Sequence, residues 1–106
     1  MRILLSVLLC FLLGFNYVFA DDPYLKEGFV RELLTDQLAE PTSVATAPDG
    51  RIFVTEKGGK IRIIENGQLL DAPFLTLQVD EAGERGLGCM TLDPDFENNG
   101  YFYVYY

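Results

Sequence analysis

Acidic and amide side chains cluster near the end of the sequence, where residues 93–100 read DPDFENNG. Carboxylates at Asp93, Asp95 and Glu97 have the alternate spacing of a calcium-binding loop, in which oxygen ligands recur at every second residue. Such a loop also needs a glycine where Asn98 stands and a glutamate further on, and this sequence has neither. The pattern therefore favours a turn held by aspartate and asparagine side chains over a metal site.

Other reactive groups are few. The chain contains no histidine, which is the commonest general base and metal ligand. The segment EKGGK, residues 56–60, combines glycines with lysines as phosphate-binding loops do. Because no strand, loop and helix surround it in the required order, it favours a hairpin turn instead.

The first twenty residues predict the compartment. Arg2 precedes an apolar run, and Ala20 stands before the acidic DDP, which is the layout of a secretory signal peptide over residues 1–20. The apolar run is shorter than the roughly 20 residues of a membrane span, so we expect no stable membrane anchor. We therefore expect a secreted or periplasmic protein, in which Cys89 has no internal disulfide partner once Cys10 is removed.

The charge balance narrows the range of partners. The chain carries 16 acidic and 8 basic side chains, for a net charge of −8. This excess of negative charge argues against nucleic acid or an anionic membrane as partner.

Turn signals recur regularly in the middle of the chain. Asp49-Gly50, Gly58-Gly59 and Asn66-Gly67 are dipeptides typical of tight hairpins. The segments TSVATAP, RIFVTEK, KIRIIENG and PFLTLQV alternate with these turns, which predicts four strands in an antiparallel meander. The two middle strands are apolar on both faces, so we expect both faces of this sheet to be covered.

The pattern then begins again. LGCMTLDPDF matches SVATAPDG as a strand that ends in a proline-acid turn, and YFYVYY matches RIFVTEK as the next strand. The repeat is about 46 residues long, as in four-stranded propeller blades. A single blade cannot bury both of its faces, so we expect neighbouring blades outside this chain and tyrosines packed between sheets.

The segment before the first strand is ambiguous. In GFVRELLTDQLAEP the apolar residues have helical spacing, which alone would predict an amphipathic helix that ends before Pro41. An outer strand is the alternative for this lead-in, residues 21–40.

Several of these motifs appear together in one known family. PTSVATAPDGRIFVTEKGGKIRIIENGQLL, followed by PFLTL and ERGLGCMTLDPDFENNGYFYVYY, closely resembles the opening of the glucose/sorbosone dehydrogenases, the soluble quinoprotein sugar dehydrogenases. The resemblance covers about two-thirds of the chain, with the motifs in the family's order and spacing.

The resemblance implies an all-β fold, a six-bladed β-propeller. Residues 41–80 would form its first blade and residues 81–106 the truncated start of the second, after the signal-peptide helix. By the same resemblance, the lead-in is expected to form an outer strand rather than a helix. The full-length enzymes bind pyrroloquinoline quinone (PQQ), use Ca²⁺ in a later loop, and oxidise aldose sugars at the anomeric carbon for an external electron acceptor. Their histidine base and basic cluster lie beyond the region matched here.

One local stretch could touch that cofactor by the same resemblance. Relatives carry a Gln or Glu before a glycine-leucine pair in the connection between the first two blades, and Glu84 occupies this position, with Arg85 beside it. A carboxylate facing a tricarboxylate cofactor is repelled unless it is protonated or bridged by a cation, and the alternative is a solvated loop pair. Relatives also read Gly-Leu-Leu-Gly at this point, whereas this chain reads Gly86-Leu87-Gly88-Cys89. Either the fold tolerates Cys89 as a small buried apolar residue, or this sequence has drifted from the family pattern.

Three functions remain open from the sequence. The chain can be the amino-terminal part of a PQQ-dependent sugar dehydrogenase, inactive without its missing blades. It can belong to a non-catalytic binding propeller like the hedgehog-interacting relatives, which share ERG and NGYF. It can also be an inactive gene fragment.

Overall fold

The computed structural model describes residues 24–106, so the predicted signal peptide and its helix lie outside the described residues. The strands and the single helical turn of this part are β1 Pro41–Thr46, β2 Ile52–Glu56, β3 Lys60–Glu65, β4 Gln68–Leu69, β5 Leu75–Thr76, β6 Cys89–Leu92, α1 Phe96–Asn99 and β7 Phe102–Tyr105. Strands therefore dominate, as predicted. No helix between residues 24 and 106 has the length and apolar character needed to cross a membrane.

The chain divides into two units, residues 1–31 and residues 32–106. The described part of the first unit forms turns, in which the Phe29 amide donates to the Lys26 carbonyl at 3.1 Å. In the second unit, residues 32–40 contain neither helix nor strand. The helical spacing of the lead-in is thus not realised, because isolated short helices need tertiary packing and Leu33 remains 79% exposed. The outer strand stays a prediction.

The predicted meander is confirmed for its first three strands. β1 pairs antiparallel with β2, with Val44 opposite Val54, and β2 pairs antiparallel with β3, with Phe53 opposite Ile63. Their connecting turns fall at the glycine dipeptides that the sequence indicates.

The fourth strand differs from its prediction. Of PFLTLQV, residues 73–79, only Leu75–Thr76 forms a strand, β5, and an additional short strand, β4, precedes it; both pair with β3 at different points along it. Pro73 offers no backbone donor, so the ladder cannot run unbroken between these two strands. Backbone bonds on either side keep the segment against β3, from the Leu70 amide to the Ile63 carbonyl at 2.9 Å and from the Phe74 amide to the Ile61 carbonyl at 2.8 Å.

The predicted second repeat forms its own two-stranded sheet. β6 and β7 pair antiparallel, with Met90 opposite Val104 and Thr91 opposite Tyr103. Because side chains alternate along a strand, one face of this sheet carries Met90, Leu92, Phe102 and Val104, and the other carries Cys89, Thr91, Tyr103 and Tyr105. The first face packs against the five-stranded sheet.

The core lies between the two sheets. Its buried members are Ala47, Phe53, Ile61, Ile63, Leu87 and Met90. The Phe53 ring meets Phe74 and Phe96 edge-on, with centroids 5.5 and 6.0 Å apart, in the geometry that aromatic pairs prefer. On the opposite face of the first sheet Val54 and Ile64 are also buried, which confirms that its central strands are covered on both sides.

The tyrosines lie on the outer face of the second sheet, where Tyr103 is 55% and Tyr105 75% exposed, while Phe102 and Val104 take the inward positions. Strand alternation explains this, because only every second residue can face the core. The packing of the tyrosines against a further sheet supplied from outside these residues stays a prediction. Cys89 shares the tyrosine face, and its free thiol is exposed in the part of the chain that the structure describes.

Candidate functional site

The connection between the two sheets, residues 77–88, carries the two side chains singled out from the sequence. Asp80 organises its outer part, because the Ala82 amide donates to Asp80 Oδ1 at 3.1 Å and closes a short turn. The Arg85 amide then donates to the Ala82 carbonyl at 3.3 Å. This part of the connection, residues 80–86, is hereafter the acidic loop.

Both ends of the connection are tied to the turn between β2 and β3. The Leu77 amide donates to the Gly59 carbonyl at 2.8 Å, and the Leu87 amide donates to the Lys57 carbonyl at 3.0 Å. The connection therefore leaves this turn and returns to it. The EKGGK segment is a hairpin turn, as predicted, and it serves as the base of the connection.

Glycines permit this close approach. Gly59 has φ +98°, and a β-carbon on it would collide with the Leu77 carbonyl oxygen. Gly86 has φ +131°, and a β-carbon there would lie 2.5 Å from the Lys57 carbonyl oxygen. Any side chain at either position would collide with backbone, so the sequence needs glycine in both places.

Leu87 fixes the return of the connection in the core. Its side chain is fully buried, and its carbonyl accepts a hydrogen bond from Thr42 Oγ1 at 2.8 Å. The same hydroxyl lies 2.8 Å from the hydroxyl of the buried Thr55. This network gives the buried Thr55 hydroxyl a partner and joins the connection to β1 and β2.

Glu84 and Arg85 lie next to each other in the acidic loop, and both are exposed. The Arg85 guanidinium pairs with Asp80 at 2.7 Å, and its Nε donates to the Ala82 carbonyl at 3.1 Å. An exposed ion pair of this kind contributes little to stability, although it orients the guanidinium within the loop. The structure thus places both predicted residues on one surface loop, in which the ion pair of Arg85 is made with Asp80.

Lys57 is a member of this site that sequence reasoning missed. Its Nζ reaches from the hairpin turn and donates to the Gly83 carbonyl at 2.6 Å. The signal available in the sequence was its place beside a glycine pair, which was interpreted only as part of a turn.

The residues of the loop do not by themselves fit a tricarboxylate cofactor. Asp80, Glu81 and Glu84 outnumber Arg85 and Lys57, and both cations already bind oxygen atoms of the loop. A tricarboxylate needs cationic groups to hold it, so the charge of this loop opposes such a ligand. The assignment of Glu84 and Arg85 as cofactor ligands stays a prediction.

A second missed feature is a buried ion pair on the other face of the first sheet. Glu56 is 2% exposed, accepts a hydrogen bond from the Ala39 amide at 2.8 Å, and lies 3.6 Å from Arg62 Nη1. Arg62 Nη2 also donates to the Leu70 carbonyl at 3.0 Å. Opposite charges at diagonal positions of the predicted hairpin were the signal that could have revealed it. The pair attaches the end of the lead-in to β2.

The DPDFENNG segment is the turn that the sequence favours. Asp93 Oδ1 accepts hydrogen bonds from the Asp95 amide at 2.8 Å and from Asn99 Nδ2 at 2.9 Å, and Oδ2 accepts one from the Tyr103 hydroxyl at 2.6 Å. The Tyr103 hydroxyl above all lowers the pKa of Asp93, and the carboxylate in turn raises the pKa of Tyr103. Within residues 24–106 no cluster of three potential metal ligands occurs.

Comparison with known proteins agrees with the family suggested by the motifs. The family model described as "Glucose / Sorbosone dehydrogenase" matches residues 38–106, which include both sheets and their connection. Among solved structures, one from Thermus thermophilus, described as a putative oxidoreductase (glucose dehydrogenase), matches with a TM-score of 0.65 and 34% identity, covering 70% of this chain and 22% of that one.

Two curated relatives differ in what their names describe. Hedgehog-interacting protein of Mus musculus is 31% identical over 86 residues, which are 73% of this chain and 12% of that protein. Quinoprotein glucose dehydrogenase B of Acinetobacter calcoaceticus is 30% identical over 82 residues, which are 74% of this chain and 17% of that enzyme. The chain therefore spans less than a fifth of either relative.

Proposed function

Because the chain belongs to the glucose/sorbosone dehydrogenase family, we propose that it serves as the amino-terminal part of a sugar dehydrogenase that uses PQQ and oxidises aldoses at the anomeric carbon. The single observation that carries this proposal is the family match over residues 38–106, which takes in both sheets and the connection between them. The match to a glucose dehydrogenase structure at 34% identity supports it.

Residues 38–106 contribute a scaffold to the proposed enzyme. Two packed sheets hold the connection by its ends, and the connection presents Glu84 and Arg85 at the surface. Sugar oxidation of this class would need a general base and PQQ would supply the redox chemistry, and a chain without histidine lacks the usual candidate for the base. Other blades would then supply the general base, the cofactor ligands and any Ca²⁺ site.

The proposed setting is secreted or periplasmic. It is supported by the signal-peptide pattern of residues 1–20. Sugar and an external electron acceptor would be the partners there, without nucleic acid or a stable membrane anchor.

A chimera tests the proposal. Residues 38–106 replace the matching segment of the Acinetobacter quinoprotein glucose dehydrogenase, and dye reduction with glucose, PQQ and Ca²⁺ is measured. We expect a folded chimera with clear activity, whereas the 106-residue chain alone shows none above a protein-free control. A chimera that folds and binds PQQ but reduces no dye would contradict the proposal, as would activity of the chain alone.

The second candidate is a binding propeller without catalysis. The observation that favours it is the 31% identity to Hedgehog-interacting protein over 73% of the chain. A charge of −8 suits a basic protein partner. Salt-sensitive binding of a Hedgehog protein to the chain, together with an inactive chimera, would favour this role over the dehydrogenase.

A further inference from the structure

Lys57 joins three separate segments of the chain. Its amide donates to the Glu40 carbonyl at 3.0 Å, its carbonyl accepts from the Leu87 amide at 3.0 Å, and its ammonium group donates to the Gly83 carbonyl at 2.6 Å. The lead-in, the return of the connection and the outer part of the acidic loop therefore all converge on one residue of the hairpin turn.

The other polar contacts of the acidic loop act within it. Arg85 pairs with Asp80, and Asp80 in turn accepts from the Ala82 amide. These contacts shape the loop without attaching it to a sheet. Within residues 24–106, the bond from Lys57 Nζ to Gly83 is the side-chain hydrogen bond that links residues 80–86 to the β2–β3 hairpin.

The packing around Lys57 makes its position specific. Gly86 leaves room for the lysine stem, since a β-carbon at Gly86 would lie 2.8 Å from Lys57 Cγ. On the neighbouring residue of the turn, a β-carbon at Gly58 would lie 3.0 Å from Glu81 Oε2. The loop thus lies close to the turn, and the lysine side chain extends from the turn to Gly83.

We propose that Lys57 is a positioning residue, whose ammonium group holds the acidic loop against the hairpin turn and thereby sets the orientation of Glu84 and Arg85. The bond ends on Gly83, the residue immediately before Glu84, so its loss frees the backbone that carries both side chains. The consequence for cofactor binding rests on the proposed function, whereas the ordering of the loop does not.

Hydrogen exchange of the full chain tests this inference without any ligand. In Lys57→Met, which keeps the apolar stem and removes the ammonium, we expect the hydrogen-bonded amides of the acidic loop, those of Ala82 and Arg85, to exchange about 3- to 10-fold faster, as expected for one lost hydrogen bond. Lys57→Arg restores the donor and the protection. Lys60→Met is the matched control, because Lys60 begins β3 and its exposed side chain has the same charge and length.

The outcomes separate positioning from general stability. Faster exchange in the acidic loop of Lys57→Met, with unchanged exchange in β2 and β3, supports the proposal. Unchanged loop exchange, an equal effect of Lys60→Met, or faster exchange throughout the sheet would overturn it, as would failure of Lys57→Arg to restore protection. Because the readout needs neither sugar nor PQQ, an inactive chimera would refute the proposed function and leave this inference standing.

Discussion

The Tyr103 hydroxyl donates a 2.6 Å hydrogen bond to Asp93, which joins the edge strand β7 to the turn after β6. Asp93 also accepts from the Asp95 amide and from Asn99 Nδ2, so three donors converge on one carboxylate. Such bonds favour the charged form of the acid, which is why the pKa of Asp93 is lowered, with the tyrosine as the main cause.

Replacing Tyr103 tests this pairing through its pH dependence. A lowered carboxyl pKa contributes stability above the unfolded-state value of about 3.9, and that stability is lost as the pH falls through the folded-state pKa. We therefore expect Tyr103→Phe to lower the thermal midpoint near neutral pH and to match the unaltered chain in acid below both pKa values. Tyr105→Phe is the control on the same face. An equal deficit of Tyr103→Phe at both pH values would contradict this account.

Gly86→Ala should disturb the return of the connection. The new β-carbon would meet the Lys57 carbonyl oxygen at 2.5 Å, and φ of +131° is strained for any L-residue. We expect the free energy of unfolding in urea to fall by about 2–3 kcal/mol. Gly83→Ala is the matched control, because Gly83 also has positive φ but an open β-carbon position, and a loss of about 1 kcal/mol is expected there. Equal effects would show that the contact with Lys57 is unimportant.

Glu56→Ala should destabilise the fold strongly. It removes the acceptor of the Ala39 amide and leaves the nearly buried Arg62 without its counter-ion, so we expect a loss of about 3 kcal/mol in the free energy of unfolding. Glu56→Gln keeps an oxygen acceptor and should lose less. Glu65→Ala, at the exposed end of β3, should change stability by at most about 0.5 kcal/mol. A Glu56→Ala variant as stable as Glu65→Ala would disprove the role of the pair.

The tyrosine face predicts self-association. Tyr103, Tyr105 and the neighbouring Tyr106 are all more than half exposed beside the unpaired edge of β7 within the described residues. Because charged lysine side chains prevent edge-to-edge pairing, Tyr105→Lys should shift the chain toward monomer in sedimentation velocity. Gln78→Lys adds a positive charge to the connection and should not. A clean monomer of the unaltered chain would contradict the prediction.

Local sequence signals predicted the pairing of strands well. The glycine dipeptides located the turns, and the apolar residues on both faces of β2 and β3 indicated that this sheet is covered on both sides, as the burial of Phe53 and Val54 shows. The repeat of the proline-acid turn likewise indicated β6 and β7. These features depend on residues close in sequence, where backbone geometry and side-chain alternation act directly.

The missed features depend on distant contacts. Nothing local to Lys57 reveals that the Gly83 carbonyl would lie 2.6 Å from its ammonium group, since the two residues meet only after the connection folds back. Which residues of YFYVYY face this core could not be predicted for a similar reason, because the segment is apolar enough to suit either face. Its register with β6 decides which residues face the core, and Met90 opposite Val104 fixes that choice.

The anchoring of the connection at Leu77 and Leu87 makes it a natural cassette for engineering. Both anchors use backbone groups on the β2–β3 turn, so the residues between Leu77 and Gly86 can be exchanged for loops of other length or charge while Gly86 is kept and the two ends stay bonded. Grafts bounded by these two leucines would therefore vary one rim of the molecule independently of its scaffold.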